Sequence, residues 1–241
     1  MNVEAAAELV TIDFGEEGVA VVTFDDGKVN VISPSAIADL ATVLDALESD
    51  DAIHAVVLCG RPGQFCAGYD LNTLILGGDE RRKLVVAGWD LLLRLLTYPL
   101  PVVVACTGNA VAGGAALLLA GDVRLGAEGG FKIGFNEVGI GIPLPALVLE
   151  LAADRLVTGE LFAATAGARI YTPSEAAAVG FLHRVFPPDA LLDAALEEAR
   201  QLAQLPVQAF RTTKQALTAE TVRRMRSLLA EDLALVDRIG A

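Results

Sequence analysis

The sequence predicts an α/β fold, and three observations carry that prediction. Short runs of β-branched residues alternate with stretches whose apolar residues recur at helical spacing. Glycine-rich breaks stand directly after two of those runs. Beyond Pro145 the pattern becomes mainly helical.

Element by element, residues 9–14 and Val19–Phe24 lie on either side of Gly15-Glu16-Glu17-Gly18, the pattern of a hairpin. Ser33-Pro34 supplies an N-cap and a first-turn proline. Ile37, Leu40, Val43, Leu44 and Leu47 follow on one helical face, so that helix runs to about Glu48. Residues 55–59 form a short buried strand broken by Arg61-Pro62-Gly63. Residues 79–98 read as a long helix with Leu84, Val85, Trp89, Leu92, Leu93 and Leu96 on its apolar side, and Val102–Cys106 as a strand. Residues 108–114 are expected to be a loop, 115–120 a helix, and Gly121 its left-handed stop. Strands at 123–125 and 131–134 flank Gly129-Gly130. Thr172-Pro173-Ser174-Glu175 matches a capping box with proline at N1, and Gly180 closes that helix. Three helices are expected after it, at 189–204, 206–217 and 220–239, the last with Val222, Met225, Leu228, Leu229, Leu233 and Val236 on one face. The change of character near Pro187-Pro188 divides a core at 1–187 from a helical region at 188–241.

Composition removes several classes of function. Hydrophobic residues make up 54% and charged residues 20%, enough for a large core and too apolar for disorder. With 18 Lys+Arg against 31 Asp+Glu the net charge is -13, a field that repels phosphate backbones, so nucleic acid is not an expected partner. Cys59, Cys66 and Cys106 form no CxxC and have too few histidines nearby for zinc. Buried free thiols point to a reducing, cytoplasmic setting, and residues 1–10, with Glu4 and Glu8 and no basic start, do not read as a secretory signal. From Val102 to Gly121 about 20 residues pass without a charge, the length of a membrane span. Gly108, Asn109, Gly113 and Gly114 in its middle, and Pro99 and Pro101 before it, favour strand, turn and buried helix instead.

Two glycine-rich segments could carry chemistry: Phe65-Cys66-Ala67-Gly68-Tyr69-Asp70-Leu71, and Gly108-Asn109-Ala110-Val111-Ala112-Gly113-Gly114 opening a helix. Glycine lets a ligand approach the backbone, and the N–H groups of a first helical turn attract negative charge. If the two face each other, one N–H from each would hold an enolate oxygen; taken singly, each is an ordinary tight turn. No Gly-Lys-Ser/Thr follows the second, so it is not a P-loop. In the uncharged run 133–143, Glu137 is the single carboxylate. It is either buried, with its pKa raised toward neutrality, or a solvent-facing turn residue, and pattern alone does not separate the two. His54 and His183 have no Ser or Cys motif around them, and there is no GxSxG elbow.

Together, Arg61-Pro62-Gly63-x-Phe65-x-Ala67-Gly68-x-Asp70-Leu71, the 108–114 segment leading to Asp122, and Ile133-Gly134-x-Asn136-Glu137 resemble the crotonase (enoyl-CoA hydratase/isomerase) superfamily in order and separation. The likeness implies a spiral of ββα units whose C-terminal helices cover the core and support trimers, often paired as hexamers. It implies an acyl-CoA substrate of fatty-acid metabolism, its thioester carbonyl held by the backbone N–H groups of Tyr69 and Gly113. The segment around Lys28, Val29 and Asn30 would lie along the adenine and pantetheine, with Ala67, Gly68, Asp70, Leu71 and Asn136 lining the substrate. Hydratases of this family hold a water with two glutamates; the first position is Ala116 here and the second is retained as Glu137. Moving a double bond needs no such water: one carboxylate takes the proton from C2 and returns it at C4, atoms roughly 2.5 Å apart. Asn136-Glu137 also looks more like the Δ3,Δ2-enoyl-CoA isomerase branch. The resemblance therefore implies an isomerase, with hydratase or other acyl-CoA chemistry as the alternative and a non-catalytic acyl-CoA binder as a different class. No metal or redox cofactor is expected, since CoA is part of the substrate.

Overall fold

A computed structural model of the chain describes residues 8–238 apart from Glu16. The leader expectation for residues 1–7, one residue of the first turn and the end of the last helix therefore lie outside the described residues. The chain opens with β1 (Val10–Phe14) and β2 (Val19–Phe24), antiparallel with Val10 opposite Phe24 and Phe14 opposite Ala20. Then come β3 (Val31–Ile32), α1 (Pro34–Glu48), β4 (Ala55–Gly60), β5 (Gly63–Cys66), β6 (Gly68–Tyr69), α2 (Leu71–Leu76) and α3 (Gly78–Leu96). They are followed by β7 (Val102–Cys106), β8 (Gly108–Val111), α4 (Gly113–Leu119), β9 (Val123–Ala127), β10 (Ile133–Gly134), α5 (Ala146–Arg155) and α6 (Leu161–Ala164). The chain continues with α7 (Pro173–Val179), β11 (Arg184–Phe186), α8 (Leu191–Ala203) and α9 (Val207–Val236).

The main sheet runs β1-β2-β4-β7-β9-β11, parallel from β2 onward. Its central strands are buried on both faces, which is why β4 and β7 are continuous apolar runs rather than alternating ones. Successive residues still divide between two cores. Ala20, Val22, Val56, Leu58, Val102 and Val104 face the large cluster with α1, α3, α4 and α5. Val19, Val21, Ala55, Val57, Val103 and Ala105 face Leu191, Ala195 and Ala199 of α8. The start of α1 is set as its sequence dictates, with Ser33 accepting from the Ala36 N–H and Pro34 in the first turn. The Thr172–Glu175 capping box and the left-handed Gly180 bound α7 likewise.

Three expectations are corrected. Residues 108–111 are strand, not loop. Gly108 lies so close to the Gly63 backbone that a Cβ there would fall on it, so its glycine serves close strand approach. Gly121 does not adopt the left-handed conformation; the turn closes at Ala120 with helical angles, and Gly121 is small because the Val104 side chain fills the space a Cβ would take. The helices expected at 206–217 and 220–239 are one, α9, because nothing at Thr218-Ala219 breaks the ladder and Thr218 Oγ1 bonds the Lys214 carbonyl one turn back.

Two buried charges fasten α9. Lys214 Nζ meets Asp122 Oδ2 at 2.6 Å, and the same oxygen accepts from the Val102 N–H at 2.8 Å. Asp232, 2% exposed, accepts from the Ala146 and Leu147 N–H groups at 2.7 and 2.8 Å, capping α5 from another helix. Among the described residues no helix is long and apolar enough to cross a membrane; the uncharged run from Val102 is β7, β8 and α4.

Candidate active site

A second, three-stranded parallel sheet assembles the three sequence motifs. Its order is β10-β8-β5, and each strand delivers one motif from its carboxyl end. β5 leads to Ala67, Gly68 and Tyr69; β8 leads through Ala112 to Gly113; β10 leads to Asn136 and Glu137. Neighbouring parallel strands bring their carboxyl ends together, which is where α/β folds place ligands. The register is fixed locally, since Ile133 pairs with Ala110, Gly134 with Val111, and the Ala112 N–H donates to the Gly134 carbonyl at 3.1 Å.

The two glycine-rich segments face each other. A Cβ on Gly68 would stand 3.1 Å from the Gly113 nitrogen and 3.0 Å from the Ala112 Cβ. Gly68 has φ +91°, so a side chain there would be both strained and crowded. Ala112 itself adopts φ +52°, ψ -130°, a sparsely populated conformation for a residue with a Cβ. That twist turns the chain from β8 into α4, whose first two amides, of Gly113 and Gly114, have no intrahelical acceptor and no backbone acceptor among the described residues. Tyr69, in β6, pairs with Ile32 of β3 and lies beside Gly113.

Glu137 is half-buried at the start of a short 3-10 turn, Val138–Ile140, and its carbonyl accepts from the Ile140 and Ile142 N–H groups. Its Oε2 is buried with no partner, and so is the neighbouring Asn136 Oδ1. Burial pushes its carboxyl from an ordinary 4.5 to about 7, against a smaller opposite pull from its own and the Asn136 N–H groups. The alternative left open by the sequence, a solvent-facing turn carboxylate, is excluded. The Tyr69 hydroxyl is pushed well above its usual range, by burial first, then by the nearby Cys66 and Glu137. The Glu137 charge is thus near enough to bear on the Tyr69 hydroxyl.

Asp70 caps α2, accepting from the Asn72 and Thr73 N–H groups and the Thr73 hydroxyl, and Leu71 opens that helix largely exposed. Lys28 and Val29 are exposed on the loop after β2. Sequence reasoning missed how that loop is built. Asp26 accepts from the Lys28, Asn30 and Val31 N–H groups. Buried Asn30, at φ +56°, donates to the Phe24, Gln64 and Phe65 carbonyls. Arg61 bonds the Lys28 carbonyl at 2.7 Å and pairs with Asp25, so the first motif also braces this loop. Burial opposes the charge of Asp26, but those N–H groups and Arg61 outweigh it and hold its carboxyl below the usual range. Aspartate and asparagine four residues apart around Gly27 were the available signal.

His183 takes no part in this pocket: it bonds Arg124 through both ring nitrogens, and burial followed by Arg124, Arg155 and Arg184 pushes its pKa down to about 4. The three cysteines are free and buried. Among the described residues no group of His, Cys, Asp and Glu could hold a metal ion.

Residues 15–240 match the family model described as enoyl-CoA hydratase/isomerase. The chain belongs to the enoyl-CoA hydratase/isomerase family. Its fold is the crotonase fold. A Pseudomonas syringae member of the same family superposes with a TM-score of 0.91 at 37% identity, over 95% of this chain and 99% of the other. An enoyl-CoA hydratase from Mycobacterium ulcerans superposes with a TM-score of 0.89 at 35% identity, over 94% and 99%. The human mitochondrial enoyl-CoA delta isomerase 1 is 31% identical over 224 residues, covering 90% of this chain and 72% of the relative. Within this family, relatives of comparable likeness thus carry hydratase and isomerase names, and the choice between reactions rests on the site.

Proposed function

We propose that this enzyme moves a double bond from Δ3 to Δ2 in acyl-CoA thioesters. One observation carries the reading. Glu137, just beyond the strand that pairs with β8, has a buried Oε2 without a partner and a carboxyl pKa raised to about 7, while the α4 position of a hydratase's first glutamate is the buried methyl of Ala116. Ionised Glu137 takes a proton from C2; the electron pair moves into the thioester, and the dienolate oxygen is held by the Tyr69 and Gly113 amides. The protonated Glu137 then delivers that proton to C4, leaving the double bond at C2–C3. Proton and electron pair stay within Glu137 and the substrate, so the step calls for no further cofactor. The braced loop carrying Lys28 and Val29 receives the CoA moiety, Ala67, Gly68, Asp70 and Leu71 line the entrance, and Asn136 Oδ1 offers an acceptor to the substrate. A trimer or pair of trimers is the assembly we propose; Leu217 and Phe162, each about three-quarters exposed, leave apolar surface for it. A monomer by light scattering at micromolar concentration would count against that assembly.

A hydratase is the competing reading, favoured by the name of the Mycobacterium ulcerans relative. Parallel incubation with 3-enoyl-CoA and 2-enoyl-CoA decides between them: the expected product is conjugated 2-enoyl-CoA. Fast formation of 3-hydroxyacyl-CoA with negligible action on 3-enoyl-CoA would overturn the proposal. In Glu137→Gln, kcat for isomerisation should fall about 10²–10⁴-fold with thioester binding retained. Retention of more than about a tenth of turnover, a barrier change under 1.4 kcal/mol, would mean that another group is the base, and thioester binding without turnover in the wild type would point to a binder.

A further inference from the structure

Tyr69 enters the reading above through its backbone N–H alone, yet its side chain occupies a singular place. A Cβ added to Gly113 would stand 3.1 and 3.2 Å from Tyr69 Cδ2 and Cε2, so one edge of the ring lies against the residue whose amide faces the carbonyl. At the other end the hydroxyl lies against Gly88 of α3, so close that a Cβ there would overlap it; Cζ would be only 2.7 Å away. Gly88 is buried in the middle of a 19-residue helix, where glycine costs about 1 kcal/mol relative to alanine. Its φ lies outside the left-handed region, so backbone freedom does not explain it. Room for the phenol does. The hydroxyl has no hydrogen-bond partner among the described residues, so shape and not a hydrogen bond holds the ring.

We infer that the Tyr69 side chain, wedged between Gly113 and Gly88, is the wall that limits the size of the acyl group this site admits. The inference rests on the proposed reading that the Gly113 and Tyr69 amides hold a thioester carbonyl. The acyl chain begins one bond from that carbonyl, and the ring closes the path from there toward α3. Short acyl thioesters fit; a long chain meets the phenol. Gly88 is the complementary half of the same device, since any larger residue there would drive the phenol further into the pocket.

Saturated acyl-CoAs test this without turnover. Calorimetric titration of butyryl-CoA, decanoyl-CoA and free CoA would be run on the wild type, Tyr69→Ala, Tyr69→Leu, Gly88→Ala and the Tyr69→Ala/Gly88→Ala double variant. The ratio of decanoyl to butyryl affinity should rise at least tenfold in Tyr69→Ala and by less in Tyr69→Leu. Gly88→Ala should weaken butyryl-CoA binding several-fold while leaving free CoA unchanged, and the double variant should recover it because the methyl then occupies vacated space. Free CoA affinity reports that each variant is folded, and Tyr69→Leu decides the matter if Tyr69→Ala fails that check. A ratio within twofold of wild type in a folded Tyr69 variant would overturn the inference and leave the functional reading standing. Acyl-CoA bound no more tightly than free CoA by the wild type would sink both.

Discussion

Replacing Glu137 by Gln should make the ligand-free protein more stable, by an amount that grows with pH. The carboxyl titrates at an ordinary 4.5 in the unfolded chain and at about 7 in the fold. Between those values the native state holds more protons than the unfolded state, so stability falls as pH rises through that window. Each pH unit of difference is worth about 1.4 kcal/mol. Holding Glu137 ionised above pH 7 therefore costs the fold ~2–3 kcal/mol, the lower figure allowing for its partial exposure. Glutamine has the same shape and no charge, so the variant escapes that cost. For a chain of this length ~1 kcal/mol moves the melting temperature by about 2–4 °C, which gives a gain of ~5–10 °C at pH 8 and almost none at pH 4.5. Melting curves of both proteins without ligand, at intervals from pH 4.5 to 8.5, measure the difference; other titrating groups cancel in it. A gap that does not change with pH, or a variant melting at or below the wild type at pH 8, would refute the claim that Glu137 is held ionised at the expense of the fold.

The same titration should govern catalysis: kcat/KM for isomerisation should fall about tenfold per unit below an apparent pKa near 7, and a limb near 4.5 would contradict the burial of Glu137. Asp232→Ala leaves the buried Leu147 N–H and the half-buried Ala146 N–H of α5 without an acceptor and should cost ~2–4 kcal/mol in urea unfolding, while Asp232→Asn, which keeps one acceptor, should cost less. Gly114→Ala would drive a methyl into the Cys66 carbonyl that backs the facing segments. It should lower activity at least tenfold and destabilise the fold, whereas Gly130→Ala, with open space around it, should do neither.

Much of this molecule is written in short-range signals. Ser33-Pro34 and Thr172–Glu175 announce their helices because a cap is a matter of three or four adjacent residues, and Val102–Cys106 announces a buried strand by its apolar run. Where one residue type serves two purposes, the local signal fails. Glycine at 108 marks close strand approach and not a turn, and glycine at 121 makes room for Val104, so both misled a reading based on loops and stops. Asp232 looks like the polar side of an amphipathic helix until α5 is packed against it. The carboxylate at 137 could be recognised by its isolation in an apolar run, but its burial is a matter of tertiary packing, which no local pattern encodes. The wedge of Tyr69 against Gly88 is non-local in the same way: the glycine reads as a weak point in a helix until the phenol is in place.

The order of the main sheet carries a consequence for how the protein is made. Its strands appear in space in the order in which they appear in the chain, each joining the outer side of its predecessor. No strand has to be threaded between two that are already paired, so the sheet can accrete as the chain emerges, every addition finding its template complete. Loss should begin at the edges, since β1 has a single neighbour, β2, and is mostly exposed. β11 has a single neighbour, β9, and is nowhere fully buried, whereas β4 and β7 are paired on both sides and buried throughout. Amide exchange measured strand by strand should therefore find β11 opening sub-globally and β4 and β7 exchanging only when the whole molecule unfolds. Equal protection across all six strands would show that the sheet dissolves as one unit.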